Sequence, residues 1–289
     1  MLNHFKEYGI FTNPGLYEDY LKSLPDNPRE IGKLLRNNII HRTTLAAGNT
    51  WTNSDLKFGD MTKVPWYRQA EDDNLTTTTS IVAELFRRDS KGLTTDRKVE
   101  DKLVLTCRYI AILMASILKS KNIPARVRSG FAGYWPFSKV SSDHWINQYW
   151  NKNEQRWVTI DVDGSFHETG FDMYDFPEGK FDYAADAWID VRSGKKNEEY
   201  FQNGDGNKGL IVVAWELFYD FHCLMNNEIL YLHHPEFTFP NEFKNLPESK
   251  LKEIDELAKL LQNPDKNFNI LQNIWNTNKE YRLLKGALL

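Results

Sequence analysis

Three residues of this chain are best suited to chemistry, Cys107, His144 and Asp161. A thiol attacks a carbonyl carbon as its thiolate, and a helix N-terminus favours that form through partial positive charge and free N–H groups. A histidine in reach takes up the thiol proton, and a third group holds the imidazole in the useful tautomer. Ile110, Leu113, Met114, Ile117 and Leu118 recur at helical spacing between Val104 and Lys121. Thr106 is the expected N-cap of that helix, which puts Cys107 in its first turn.

His144 and Asp161 fall on two strand-like runs, His144 to Trp150 and Arg156 to Val162, separated by the polar stretch Asn151 to Gln155. A symmetric hairpin centred between Lys152 and Asn153 pairs His144 with Asp161, Trp145 with Ile160, and Gln148 with Trp157. Directly opposite residues have Cβ atoms about 4.5–5.5 Å apart, and a slip of one residue would break the contact. Each residue alone has a plainer reading. Cys107 could be a small buried hydrophobe, His144 a structural histidine, and Asp161 the end of a strand before the Asp163-Gly164 turn. The conjunction favours catalysis over any one of these readings taken alone, and spacing by itself leaves both open.

The elements that must position these residues follow from local signals. Asn27-Pro28 starts a helix, with Asn27 as N-cap and Pro28 at the first position, and Ile31, Leu34, Leu35 and Ile39 continue it. A short helix is expected at Ser80 to Arg88, while the polar run Glu71 to Thr79 reads as a loop. Asn122-Ile123-Pro124 stops the cysteine helix. Alternation then marks a strand from Ala125 to Phe131, with Arg126 and Arg128 on a solvated or salt-bridged face. Ile211 to Met225 fits strand or helix, and two amphipathic helices follow Pro247 and Pro264. The expected class is α+β. Residues 1–95 are a mainly helical N-terminal segment, 96–190 the catalytic core, and 191–289 a C-terminal segment with terminal helices, packed as one globular unit.

Composition narrows the function. The 289 residues carry 36 Lys and Arg against 40 Asp and Glu, a net charge of −4, which argues against a nucleic-acid binder or an anionic-membrane binder. Apolar residues at 41% and charged residues at 26% are ordinary globular usage. The N-terminus lacks the pattern of a secretory signal, and the longest apolar run, Tyr109 to Leu118, is half of what a membrane helix needs. Two cysteines are too few for a disulfide scaffold. A soluble, reduced, cytoplasmic protein is the expectation. His222-Cys223 and His233-His234 lack zinc-site spacing, Asp161-Val162-Asp163-Gly164 lacks the rest of a calcium loop, and no phosphate-binding glycine loop occurs. No metal or other cofactor is implied.

The run CRYIAILMASILKSKNIPARVRSGFAGY resembles the nucleophile helix and following strand of the transglutaminase-like cysteine enzymes. DHWINQYW and RWVTIDVDG resemble their His and Asp strands, and the order and spacings, 37 and then 17 residues, suit that superfamily. FDYAADAWIDVRSG and GLIVVAWELFYDFHCLMNNEILYL are similar to the downstream part of bacterial transglutaminase-like proteins. Arg-Tyr after the cysteine, where animal transglutaminases have Trp, places the chain with the microbial branch. Gln148 stands where related sequences often have Glu.

The resemblance implies a papain-like core, with the cysteine helix packed on an antiparallel sheet between helical extensions. It makes Cys107 the nucleophile, His144 the general base and then acid, and Asp161 the residue that orients His144. The implied reaction is acyl transfer at an amide of a peptide or small molecule, with water or an amine resolving a thioester. The backbone N–H of Cys107 is one expected oxyanion donor, and the second is unassigned. Tyr134, Trp135 and Trp145 are candidates for the cleft wall or, equally, for core aromatics. The alternatives are a non-catalytic binding module of the same fold and an amidase that removes glycans from Asn. The residues leave the oligomeric state open.

Overall fold

The computed structural model describes residues 1–42, 63–68, 71–135, 139–166, 169–231 and 233–282. It mixes helices with a small curled antiparallel sheet, the α+β class expected. Asn27 caps the helix Pro28–Asn38 by accepting from the Arg29 amide at 2.9 Å. That helix runs into β1 (Ile39–His41), which pairs in parallel with β2 (Leu103–Leu105), His41 opposite Leu105. The run expected as a loop instead holds a one-turn helix, Glu71–Asn74, and the start of Thr78–Arg88. Thr77 and Ser80 close a reciprocal cap, each side chain accepting from the other's amide, so the threonine run begins a helix.

β2 leads through Thr106 into the helix Cys107–Ser120, every residue of which is buried. One side, through Ile110, Leu113 and Ile117, packs on Leu21, Ile31, Leu35, Ile81 and Leu85 of the N-terminal helices. Each such large aliphatic side chain contributes about 1.5–3 kcal/mol on burial. The other side offers the small residues Ala111 and Ala115 to Val127 and Trp145 of the sheet, which brings helix and sheet close. Asn122 ends the helix at φ 60°, and the Ile123 amide turns back to the Leu118 carbonyl at 3.0 Å.

The sheet has the order β5-β4-β3-β6, from β3 (Ala125–Ala132), β4 (Ser141–Asn151), β5 (Arg156–Ile160) and β6 (Asp182–Tyr183), and β7 (Phe201–Gln202) pairs in parallel with the start of β4. The β4–β5 register differs from the expected one by two residues. Ile160 lies opposite Asn147 rather than Trp145, and Trp157 opposite Trp150 rather than Gln148. The turn chemistry sets this. The Asn151 side chain accepts from the Asn153 and Glu154 amides, and Gln155 takes a positive φ of 53°. The turn thus spans 152–155 and centres one residue later than expected. A shift of two preserves which face each side chain occupies, so His144 and Asp161 become diagonal rather than direct neighbours.

Behind β3 lies the helix Leu210–Leu224, the segment the sequence left open between strand and helix. Helix Ala184–Arg192 packs beside it, followed by Glu248–Leu261 and Phe268–Thr277. Of the two alternatives for Arg126 and Arg128, solvated or salt-bridged, the second holds, each being 3% exposed and paired with an aspartate. Arg128 binds both oxygens of Asp220 at 2.7 and 2.8 Å, and Gln148 accepts from both arginines. Carboxylates from distant parts of the chain compensate what alternation alone would have sent to water. Among the described residues, no helix is long and apolar enough to cross a membrane.

Candidate active site

Cys107 opens its helix from an extended Thr106, whose side chain makes no cap bond. The Thr106 hydroxyl instead meets the Tyr231 hydroxyl at 3.4 Å, and that hydroxyl lies 3.4 Å from Cys107 Sγ. His144 comes from β4, and Asp161 follows the last residue of β5. Their exposures are 6%, 3% and 0% in the order Cys107, His144, Asp161. His144 Nε2 stands 3.0 Å from Asp161 Oδ2. The two groups form an ion pair out of solvent, the carboxylate fully buried and the imidazole nearly so.

Asp161 is held from three sides. Tyr134 donates its hydroxyl to Oδ2 at 2.7 Å, the Gly164 amide donates to Oδ1 at 2.8 Å, and His144 completes the set. Only glycine fits at 164, because a Cβ there would stand 2.2 Å from Asp161 Oδ2. The Trp135 and His144 rings meet in a T-shaped arrangement, centroids 5.2 Å apart at 78°.

Burial pushes the Cys107 thiol up, but the charge and hydrogen bond of His144, joined by His41, overcome it and bring the pKa down to about 6. Burial disfavours the His144 imidazolium, yet Asp161 and Cys107 hold its pKa well above the ordinary value. Burial likewise works against the Asp161 carboxylate, and His144, Gly164 and Tyr134 still keep its pKa below the ordinary value. All three shifts favour a thiolate beside an imidazolium near neutral pH.

The group opens on a cavity of about 730 Å³. Cys107, His144, His41 and Trp135 line one part of it, with Asp143, Glu216 and Tyr231 among the other wall residues. Burial and the Cys107 thiolate push half-buried Asp143 up to about 7, and burial with Asp143 raises Glu216 well above the carboxylate range. Of the three aromatic candidates, Trp135 is on the cavity wall. Tyr134 sits behind the site on Asp161, and Trp145 is a core ring packed with Ala111, Val127 and Tyr219.

Sequence reasoning missed His41, Asp163 and Tyr231. His41 lies in hydrogen-bonding range of the Cys107 thiol, and its Nε2 is 3.6 Å from Asp163 Oδ2. Asp163 Oδ1 is gripped by Arg36 at 2.6 Å. The signal for Asp163 was its place two residues after Asp161, whereas nothing local marks His41 or Tyr231. Gln148 is remote from the sulfur's neighbours, bridging Arg126 and Arg128 to Thr159 and Tyr183. Among the described residues, no group of three or more His, Cys, Asp or Glu could hold a metal ion.

A helix opening on Cys107 thus packs on an antiparallel sheet, whose strand β4 carries His144 and whose strand β5 leads directly into Asp161. The family model of the transglutaminase-like superfamily matches residues 88–162, the stretch that carries Cys107, His144 and Asp161. No curated protein and no solved structure matches the chain.

Proposed function

We propose that this protein is a cysteine enzyme that transfers or hydrolyses acyl groups at amide bonds through a thioester on Cys107. The observation that carries the reading is a thiol in hydrogen-bonding range of His144, whose Nε2 meets buried Asp161 at 3.0 Å, on the wall of a cavity. The Cys107 thiolate attacks the carbonyl carbon, and the π pair moves onto oxygen. As the tetrahedral species collapses, the C–N bond breaks and His144 gives its proton to the leaving amine. Water or a second amine then attacks the thioester, His144 takes its proton, and the thiolate departs. Asp161 keeps the imidazole oriented and stabilises its charged form without itself taking the proton.

The backbone N–H of Cys107, at the start of its helix, supplies one donor to the oxyanion. A cavity of this size suits a short peptide segment or a small amide. Two free cysteines, one of them a nucleophile, suit a reducing cytoplasmic setting. The test uses p-nitrophenyl acetate as an activated acyl donor. Wild-type protein is expected to release a burst of p-nitrophenol equal to its active sites, gain one acetyl group on Cys107 by mass spectrometry, and turn over faster with hydroxylamine. Absence of both burst and Cys107 adduct would overturn the proposal in favour of a binding module, as would an unchanged burst from Cys107→Ala.

A further inference from the structure

We propose that His41 is a second catalytic histidine, an N–H donor held by Asp163 that stabilises the Cys107 thiolate before attack and the carbonyl oxyanion after it. The inference rests on the reaction proposed above and supplies its missing oxyanion donor.

The placement begins in the backbone. His41 ends β1 and pairs with Leu105, two residues before Cys107, in a parallel ribbon whose strands both run toward the site. His144 arrives from the separate antiparallel sheet. The sulfur therefore has two imidazoles in hydrogen-bonding range, delivered by different sheets. Each has its own aspartate, Asp161 at 3.0 Å from His144 and Asp163 at 3.6 Å from His41. Arg36, in the helix just before β1, fixes Asp163 at 2.6 Å. The Arg36, His41 and Asp163 side chains are 13%, 16% and 8% exposed, so the relay is sheltered, while His41 lines the cavity.

One base suffices to accept the thiol proton and return it to the leaving amine, and His144 does that. A second imidazole on the same sulfur has another use. When sulfur bonds to the carbonyl carbon, negative charge moves from sulfur to the carbonyl oxygen, which lies only two bonds away. A donor resting on the thiolate needs little movement to meet the oxygen, which is the preorganisation an oxyanion hole requires. No proton leaves His41 in this step. The N–H bond stays intact as the C–S bond forms, and the π pair returns when the C–N bond breaks.

The groups facing His41 suit a donor. Burial disfavours its charge, but Asp163 and the contact with Cys107 outweigh burial and the repulsion of His144, so its pKa is raised. Asp72 and Asp143 are further carboxyl groups within electrostatic reach of it, each held toward its neutral form by burial.

The test measures the iodoacetamide alkylation rate of Cys107 against pH in wild type, His144→Ala, His41→Ala and the double variant, and acylation by p-nitrophenyl acetate in wild type, His41→Ala and His41→Gln. His144→Ala alone is expected to leave the alkylation midpoint below that of a free thiol, and the double variant to restore the ordinary value. His41→Ala is expected to slow acylation about a hundredfold with KM unchanged, and His41→Gln, which keeps an N–H donor, to recover part of the loss. The inference fails if His144→Ala already gives a free-thiol midpoint, or if His41→Ala acylates like wild type. It also fails if Gln rescues nothing. Lack of acylation in the wild type would sink the proposed reaction, while the alkylation midpoints would still decide whether His41 stabilises the thiolate.

Discussion

The two cysteines of this chain belong to one apolar cluster with Ala111, Ala115, Trp145 and Tyr219, yet their surroundings differ in sign. Cys107 begins its helix, the end that carries partial positive charge, and His144 and His41 pull its pKa down to about 6. Cys223 sits in the last turn of Leu210–Leu224, wholly buried, where carbonyls end the helix. Burial and the carboxylates of Glu228, Asp220 and Glu216 raise its pKa well above the ordinary thiol value, against a smaller opposing pull from Arg108. Burial acts alike on both. The charge of the neighbours and the end of the helix decide which sulfur is favoured as a thiolate.

The most severe way to break this contrast is to delete each sulfur in turn. Cys107→Ala is expected to lower acylation by a factor on the order of 10⁴ or more, since a nucleophile's loss disables the whole unit. Cys223→Ala should leave the acylation rate at the wild-type value and cost about 1 kcal/mol in urea unfolding, because it removes a packed atom from a core. Equal loss of acylation in both variants would mean that the contrast in charge carries no functional weight.

A milder intervention keeps the sulfur and removes the charge behind it. Asp161→Asn leaves the His144 imidazolium without its counter-ion, so the Cys107 thiol should titrate closer to its ordinary value. Acylation should fall by about 10²–10⁴ at neutral pH. The same change alters stability against pH with a definite sign. The Asp161 pKa is lower folded than unfolded, so its carboxylate stabilises the native state above the unfolded value of about 3.9, and that contribution disappears as pH falls through the folded pKa. The His144 pKa is raised, so its contribution is complete below its unfolded value and disappears as pH rises through the folded one. Asp161→Asn should therefore flatten both limbs of a plot of unfolding free energy against pH. Limbs identical to those of wild type would contradict the ion pair.

How much of this was legible follows the distance over which each cause acts. The cysteine helix was readable because its period, N-cap position and Asn122-Ile123-Pro124 stop are all local. The face parity of His144 and Asp161 was readable from alternation, but the register was not, because it turned on how Asn151 and Gln155 shape the hairpin. His41 was invisible because parallel pairing of Ile39–His41 with Leu103–Leu105 joins segments far apart in sequence without a shared motif. Whether Arg126 and Arg128 met water or carboxylates was open in the sequence, because Asp265 and Asp220, which neutralise them in the interior, come from much later in the chain.

The finest test concerns Tyr134, which the sequence offered as a cleft aromatic and the fold places on Asp161. Tyr134→Phe keeps the ring against Phe171 and Phe176 and removes only the hydroxyl that donates at 2.7 Å. A hydrogen bond to a charged group contributes about 1.5–3 kcal/mol, and losing it raises the Asp161 pKa and weakens its hold on the His144 imidazolium. Acylation should then fall about tenfold through kcat, less than in Asp161→Asn. The alkylation midpoint of Cys107 should shift upward, while Cys223 stays unreactive until the protein unfolds. A change confined to KM, with the Cys107 midpoint unmoved, would return Tyr134 to the substrate side of the site, because a residue that only touches substrate has no means of altering the free enzyme's thiol.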